Sequence, residues 1–187
     1  MKKLLLILLL TIPGFLQAQH GQKNSFYVGY SNLTADHSAG GNIKAEGYEL
    51  GYTRFLKDRF YGDIYFGKSN FQGRNSIFYL DPSEMDYFNM TNFSLGFGYN
   101  LVEKRRFVIS SGLSYYRQTT HELIHLLESG GISIRETGRI VDQTARVNLK
   151  AHFYIIDNLQ FIPSIAYGIQ LQRYESIALK AGLAYSF

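Results

Sequence analysis

The stretch Asn92-Phe93-Ser94-Leu95-Gly96-Phe97-Gly98-Tyr99-Asn100-Leu101 decides the fold. Its odd-numbered residues are large and apolar or aromatic. Its even-numbered residues are small or polar. A period of two is the mark of a β-strand whose two faces meet different surroundings. A half-buried strand of a soluble sheet also alternates, but it turns an apolar face to the core and a charged face to water. Here the polar face is glycine, serine and asparagine, so the rest of the chain must settle which face is inside.

The same alternation recurs to give eight predicted strands. The first is Ser25 to Asn32, with Phe26, Val28 and Tyr30 on one face. The second runs from about Ala45 to Phe55 and the third from Phe60 to about Phe71. The fourth is about Met90 to Val102, and the fifth is Phe107 to Gln118. The sixth, about Ile140 to Ile155, sets Val141, Ala145, Val147, Leu149, Ala151 and Phe153 against Asp142, Thr144, Arg146, Asn148, Lys150, His152 and Tyr154. The seventh is Leu159 to Leu171, and the eighth is Ile177 to Phe187.

Connector lengths separate a sandwich from a barrel. Lys57 to Arg59, Glu103 to Arg106 and Ile156 to Asn158 are tight turns. Between them fall Thr34 to Asn42, Gln72 to Phe88, Thr119 to Arg139 and Gln172 to Ser176, two of them much longer. Short turns at one end and long loops at the other, with an even strand number, describe a transmembrane β-barrel. A sandwich has no reason to sort its connectors this way. Most of the segments also reach the roughly 9–11 residues that a tilted strand needs to cross hydrocarbon. Closing the sheet removes the unpaired edges that lipid cannot satisfy. The expected fold is therefore an all-β, eight-stranded, antiparallel up-and-down transmembrane barrel.

The N-terminus agrees. Lys2 and Lys3 precede the apolar run Leu4 to Leu10, Pro13 and Gly14 follow, and Ala18 is a small residue at a plausible cleavage point. This is the layout of a secretory signal peptide. The expected organisation is a signal peptide over 1–18 and a barrel domain over 19–187.

Composition narrows the classes. The chain has 187 residues, no cysteine, 15 tyrosines, 14 phenylalanines and a net charge of +4. Without cysteine there is no disulfide framework and no thiolate metal site. A mean hydropathy of −0.13 argues against a helical membrane protein. The basic residues form no continuous patch that tracks phosphates, so nucleic-acid binding has no support.

The end of the chain, Leu183-Ala184-Tyr185-Ser186-Phe187, and pairs such as Gly96-Phe97-Gly98-Tyr99 carry a family likeness. The chain resembles the small eight-stranded outer-membrane barrels of the OmpX and OmpA transmembrane-domain type, in their Bacteroidetes-like variety. The resemblance implies a Gram-negative outer membrane, with both termini periplasmic and long loops outside. It implies that Leu183, Tyr185 and Phe187 form the signal read by the barrel-assembly machinery. It implies a role in adhesion, surface protection or envelope integrity, without selecting one.

Candidate chemistry lies on the inward face. Glu49, Asp63, Asp142, Arg146, Lys150, His152 and Lys180 share its parity. Eight strands leave an interior that side chains fill, and buried charges must be paired. A closed lumen cross-linked by ion pairs is therefore expected, with an ion path or small pore as the alternative. Lipid-modifying enzymes of this architecture need a His, a Ser and a carboxylate at the membrane edge. Of His20, His37, His121, His125 and His152, only His152 lies on a predicted strand, near the periplasmic end. No enzyme activity and no cofactor are expected.

Arg74, Arg117, Arg135, Arg139 and Arg173 lie near the rims, where lipopolysaccharide phosphates are possible partners. The loops 72–88 and 119–139 are the expected surface for a host or envelope ligand. An accessory role in an envelope secretion or transfer system is a further alternative.

One motif needs separate weighing. His121-Glu122-Leu123-Ile124-His125 matches H-E-x-x-H, which on a helix places two imidazoles one turn apart for zinc, with Glu122 as general base. Thr119 or Thr120 is a possible cap, and Gly130-Gly131 a possible stop. A catalytic zinc needs three protein ligands, and a third, a glutamate such as Glu136, would have to come from the same short loop. The preferred expectation is a packing helix, with Leu123, Ile124, Leu126 and Leu127 on the barrel rim, and no metal.

Overall fold

In a computed structural model the described residues are 24–37, 41–56, 59–73, 89–129, 132–169 and 174–187. The signal-peptide assignment and loop residues 74–88 lie outside them. Eight strands run in chain order: β1 Asn24–His37, β2 Gly41–Phe55, β3 Phe60–Gly73, β4 Asn89–Lys104, β5 Phe107–Ser129, β6 Ile132–Ile156, β7 Leu159–Ile169 and β8 Tyr174–Ser186. Each pairs antiparallel with the next, and β8 returns to β1. The sheet is a closed barrel.

Closure sets the tilt. Starting at Ser25, registered partners step through Thr53, Asp63, Gly96, Ser114, Arg146 and Gly168 to Ser176 on β8. Across the seam, however, Ser25 pairs directly with Ser186. The ladder therefore returns ten residues displaced along β8. Such a stagger is what inclines the strands to the barrel axis. The last rung is main-chain only: Asn24 N–H donates to Phe187 O at 3.1 Å, and Phe187 N–H donates to Asn24 O at 2.9 Å.

The alternation is inverted relative to a soluble protein. Phe26, Val28, Leu50, Phe66, Leu95, Phe97, Leu113, Leu179 and Leu183 face outward and are exposed. Glu49, Asp63, Ser94, Ser110, Ser114, Arg146 and Lys150 are buried. An apolar outside around a polar inside is stable only in lipid. Among the described residues no helix is long and apolar enough to cross a membrane.

Aromatic pairs mark both borders of the apolar belt. Toward the short turns, Phe26 lies 5.4 Å from Tyr52 and 5.6 Å from Phe187, Phe60 lies 5.0 Å from Tyr99, and Phe107 lies 5.1 Å from Phe153. Toward the other end, Tyr30 meets Tyr48 at 5.9 Å and Phe66 meets Phe93 at 5.1 Å. Aromatic rings toward both ends of the barrel are the girdles expected of such barrels.

Two expectations are corrected. Residues 119–139 are not a loop: β5 continues to Ser129 and β6 begins at Ile132, so they form most of a long hairpin. The H-E-x-x-H segment is strand, not helix. At about 3.3 Å per residue, the backbones of His121 and His125 stand roughly 13 Å apart instead of one helical turn. The physical reason is a register shift between Leu123 and His125. A bulge inserts a residue and breaks the period of two, so a strand presents the doublets Leu123-Ile124 and Leu126-Leu127 that imitate a helix.

Candidate functional site: the polar lumen and the outer hairpin

The inward face carries its charges in layers. Nearest the short turns, Ser110, His152, Gln160 and Ser186 are all buried. Ser110 Oγ lies 3.1 Å from His152 Nε2, and His152 Nδ1 lies 3.0 Å from Gln160 Oε1. Gln160 Nε2 donates onward to Ser186 Oγ at 2.5 Å. Because Gln160 offers an acceptor oxygen, Nδ1 carries the proton and Nε2 accepts from the serine. Four strands are thereby laced together at one end of the lumen.

This connectivity is that of a nucleophile, a base and an orienting group. Access is what it lacks: Ser110 is 0% exposed. A substrate carbonyl has no approach to its Oγ, so the chain of hydrogen bonds acts as a structural tie.

The next layer is ionic. Lys150 Nζ donates to Asp63 and, at 3.1 Å, to Tyr65 Oη. The rings of Tyr61 and Tyr65 flank the same ammonium at 5.1 and 4.8 Å. Above it, Lys180 Nζ meets both Glu49 oxygens at 2.8 and 2.9 Å. A cavity of about 20 Å³ lies between the two pairs, lined by Tyr27, Asp63, Tyr65, Ser94, Lys150 and Lys180. That is room for about one water.

Glycines make this packing possible. A Cβ on Gly96 would fall 2.2 Å from Asp63 Oδ1, and one on Gly51 would fall 2.2 Å from Tyr65 Cε1. The small residues of the sequence pattern are the hollows into which the large polar side chains reach.

Farthest from the short turns, Arg146 lies with its guanidinium carbon 3.2 Å from the Tyr116 ring centroid. Its Nη2 donates to Ser176 Oγ at 3.4 Å, and its Nε has no partner. Asp142 accepts from Gln118 Nε2 at 3.3 Å. Of the seven inward residues singled out from the sequence, the structure joins Asp63 to Lys150 and Glu49 to Lys180. It holds His152, Arg146 and Asp142 on neutral partners. Sequence reasoning missed Ser110, Gln160, Ser176 and Ser186. All four share the inward parity of their strands, but a hydroxyl or amide gives no sign of its partner in one sequence.

At the chain's end, Leu183 and Tyr185 face outward, 49% and 53% exposed, and Phe187 stacks on Phe26 across the seam. At the opposite end the β5–β6 hairpin dominates. β4 pairs with β5 only as far as His121, and β7 pairs with β6 only from Ala145. Beyond those points, among the described residues, β5 and β6 pair with each other alone.

The closed topology and the inverted burial can be set beside solved structures. Ail, the attachment invasion locus protein of Yersinia pestis, matches with a TM-score of 0.62 and 14% identity, over 90% of this chain and 100% of that one. This chain has the fold of the small eight-stranded outer-membrane barrels. Neisserial surface protein A matches with a TM-score of 0.57 and 13% identity, over 90% of this chain and 100% of that one. The N-terminal β-barrel domain of Pseudomonas aeruginosa OprF matches with a TM-score of 0.54 and 16% identity, over 90% of this chain and 100% of that domain. No protein-family profile matches the chain, and no curated protein matches its sequence.

Proposed function

We propose that the protein is a non-enzymatic outer-membrane barrel with a closed lumen, and that its outer hairpin is an interaction surface. The observation that carries this reading is the length of β5 and β6, 23 and 25 residues. At about 3.3 Å per residue, 23 residues extend roughly 75 Å, and even inclined by about 45° they reach some 50 Å, twice the apolar belt of about 25 Å. A strand pair ordered that far past the membrane is more than a connector needs. Orientation follows the connectors: with the short turns periplasmic, both termini are periplasmic and the hairpin is outside.

The partners consistent with this reading are a host or envelope ligand on the hairpin and loop 72–88, lipopolysaccharide around the belt, and the assembly machinery at Leu183, Tyr185 and Phe187. The fold is compatible with ligand display, since Ail has been crystallised in complex with the heparin analogue sucrose octasulfate. Lumen packing supports the closed reading over the pore: the buried ion pairs Asp63–Lys150 and Glu49–Lys180 reach across the barrel interior.

Replacing residues 122–138 by a two-residue turn tests the proposal. Adhesion of cells bearing the shortened barrel to host-matrix and envelope components is expected to fall to background, while gel migration of the unheated protein stays that of a folded barrel. Unchanged adhesion with normal folding would overturn it.

A further inference from the structure

The short-turn end of the barrel carries a surplus of positive charge on one side. Because β3 pairs with β4, the β2–β3 and β4–β5 turns stand side by side, and Asn100 N–H donates to Arg59 O at 2.9 Å. Arg59, Lys104, Arg105 and Arg106 are exposed there. Among the described residues of the three short turns the acids are Glu103 and Asp157. Glu103 accepts from Asn100 Nδ2 at 2.7 Å and lies 3.6 Å from Arg59 Nε. No ion pair engages Lys104, Arg105 or Arg106 among the described residues. Lys57 and Asp58, outside the described residues, cancel in the sequence.

Turn geometry does not call for these cations. Lys104 is registered with Phe107, so Arg105-Arg106 is a two-residue hairpin turn, where Asn-Gly or Asp-Gly is favoured. Arg59 has a φ of 70°, in the left-handed region that favours glycine or asparagine. At both turns a cation stands where backbone chemistry prefers a small residue. Position adds to charge. Past the register shift between Asn100 and Val102, Lys104 shares the lipid-facing side with Phe107. Phe107 meets Phe153 at 5.1 Å, and beside Arg59 the Phe60 ring meets Tyr99 at 5.0 Å. These rings belong to the short-turn girdle, so the cations just beyond them lie at the level of lipid headgroups.

We propose that Arg59 and Lys104-Arg105-Arg106 bind the headgroup phosphate of an anionic glycerophospholipid in the leaflet bordering the short turns. The inference rests on the reading of the chain as a membrane-spanning barrel. Basic residues beside a membrane attract anionic lipid, and guanidinium forks match phosphate oxygens.

The chain has no tryptophan, so Phe107→Trp supplies a sole fluorophore at the site. The full-length variant is refolded into phosphatidylcholine vesicles, and its quenching by brominated phosphatidylglycerol is compared with that by brominated phosphatidylcholine. Phosphatidylglycerol is expected to associate at least about fivefold more strongly, the ratio given by the roughly 1 kcal/mol attraction of one basic residue to an anionic surface. Lys104→Gln/Arg105→Gln/Arg106→Gln on the same background should bring the ratio near one. Salt at about 1 M, which screens beyond roughly 3 Å, should do the same without a mutation. Tyr185→Trp in place of Phe107→Trp moves the fluorophore to β8, across the barrel, and should show no preference. Should Phe107→Trp fail to refold, Phe153→Trp reports on the same lipid. Equal quenching by the two lipids, a preference that survives both neutralisation of the turn and salt, or the same preference at the β8 position would overturn the proposal. Quenching by neither lipid would show that the chain is not inserted and would overturn the membrane reading as well.

Discussion

Replacing Asp63 by leucine tests how the lumen is held together. The change leaves the Lys150 ammonium, whose side chain is 8% exposed, without its carboxylate. Tyr65 Oη and two tyrosine rings remain as partial compensation. Two unit charges in close contact attract by about 4 kcal/mol at an effective dielectric of roughly 20. Breaking a buried pair by removing one partner typically costs about 3–5 kcal/mol. The residual tyrosine contacts place this case at the lower end, near 3 kcal/mol. The double variant Asp63→Leu/Lys150→Met removes both charges, and the remaining cost should be under about 1.5 kcal/mol, because apolar replacement of a whole pair is often near neutral. Reversible urea unfolding in lipid vesicles, run as a double-mutant cycle, measures the coupling. A coupling of about 2 kcal/mol or more is expected. Additive single changes, each costing under about 0.5 kcal/mol, would refute the reasoning.

Other expectations follow from the same geometry. Gly182→Ala places a Cβ 2.4 Å from Val28 O at the closing seam. It should cost about 1–3 kcal/mol as an overpacked site, read by the same unfolding assay. Deleting Phe187 removes one rim aromatic stacked on Phe26, a burial contribution of about 1.5–3 kcal/mol. Its larger effect should be on insertion rate in cells, and pulse-chase insertion at the wild-type rate would count against an assembly role for the terminus. In a planar bilayer the wild-type barrel should give no steady single-channel conductance. Purified protein should carry no stoichiometric zinc, and His121→Ala/His125→Ala should leave metal content unchanged.

Much of the barrel was legible because one face of each strand meets lipid along its length. Phe107, Leu159 and Phe60 begin their strands where the alternation begins, beside turns of a few residues. The outer ends were not legible. Past Gln118 and before Ile140 the alternation of large apolar residues breaks down, although β5 and β6 continue as strands there. The bulge at Leu123/His125 then disguises the remaining pattern as a helix. In the lumen, parity alone identified Glu49, Asp63, Lys150 and Lys180 as inward. Which acid meets which base depends on the ten-residue stagger, and no sequence interval encodes it: Glu49 and Lys180 are 131 residues apart.

The absence of native cysteine makes closure directly measurable. Ser25 and Ser186 are registered partners across the β1–β8 seam and both are buried. Facing residues of an antiparallel pair have Cα atoms about 4.5–5.5 Å apart, within reach of a disulfide. In membranes from cells making Ser25→Cys/Ser186→Cys, oxidation is expected to give a cross-linked species that migrates differently from its reduced form. Ser25→Cys/Tyr185→Cys, whose second position faces lipid, should give little. Absence of the first cross-link, or equal cross-linking of both pairs, would contradict the closed barrel and its register.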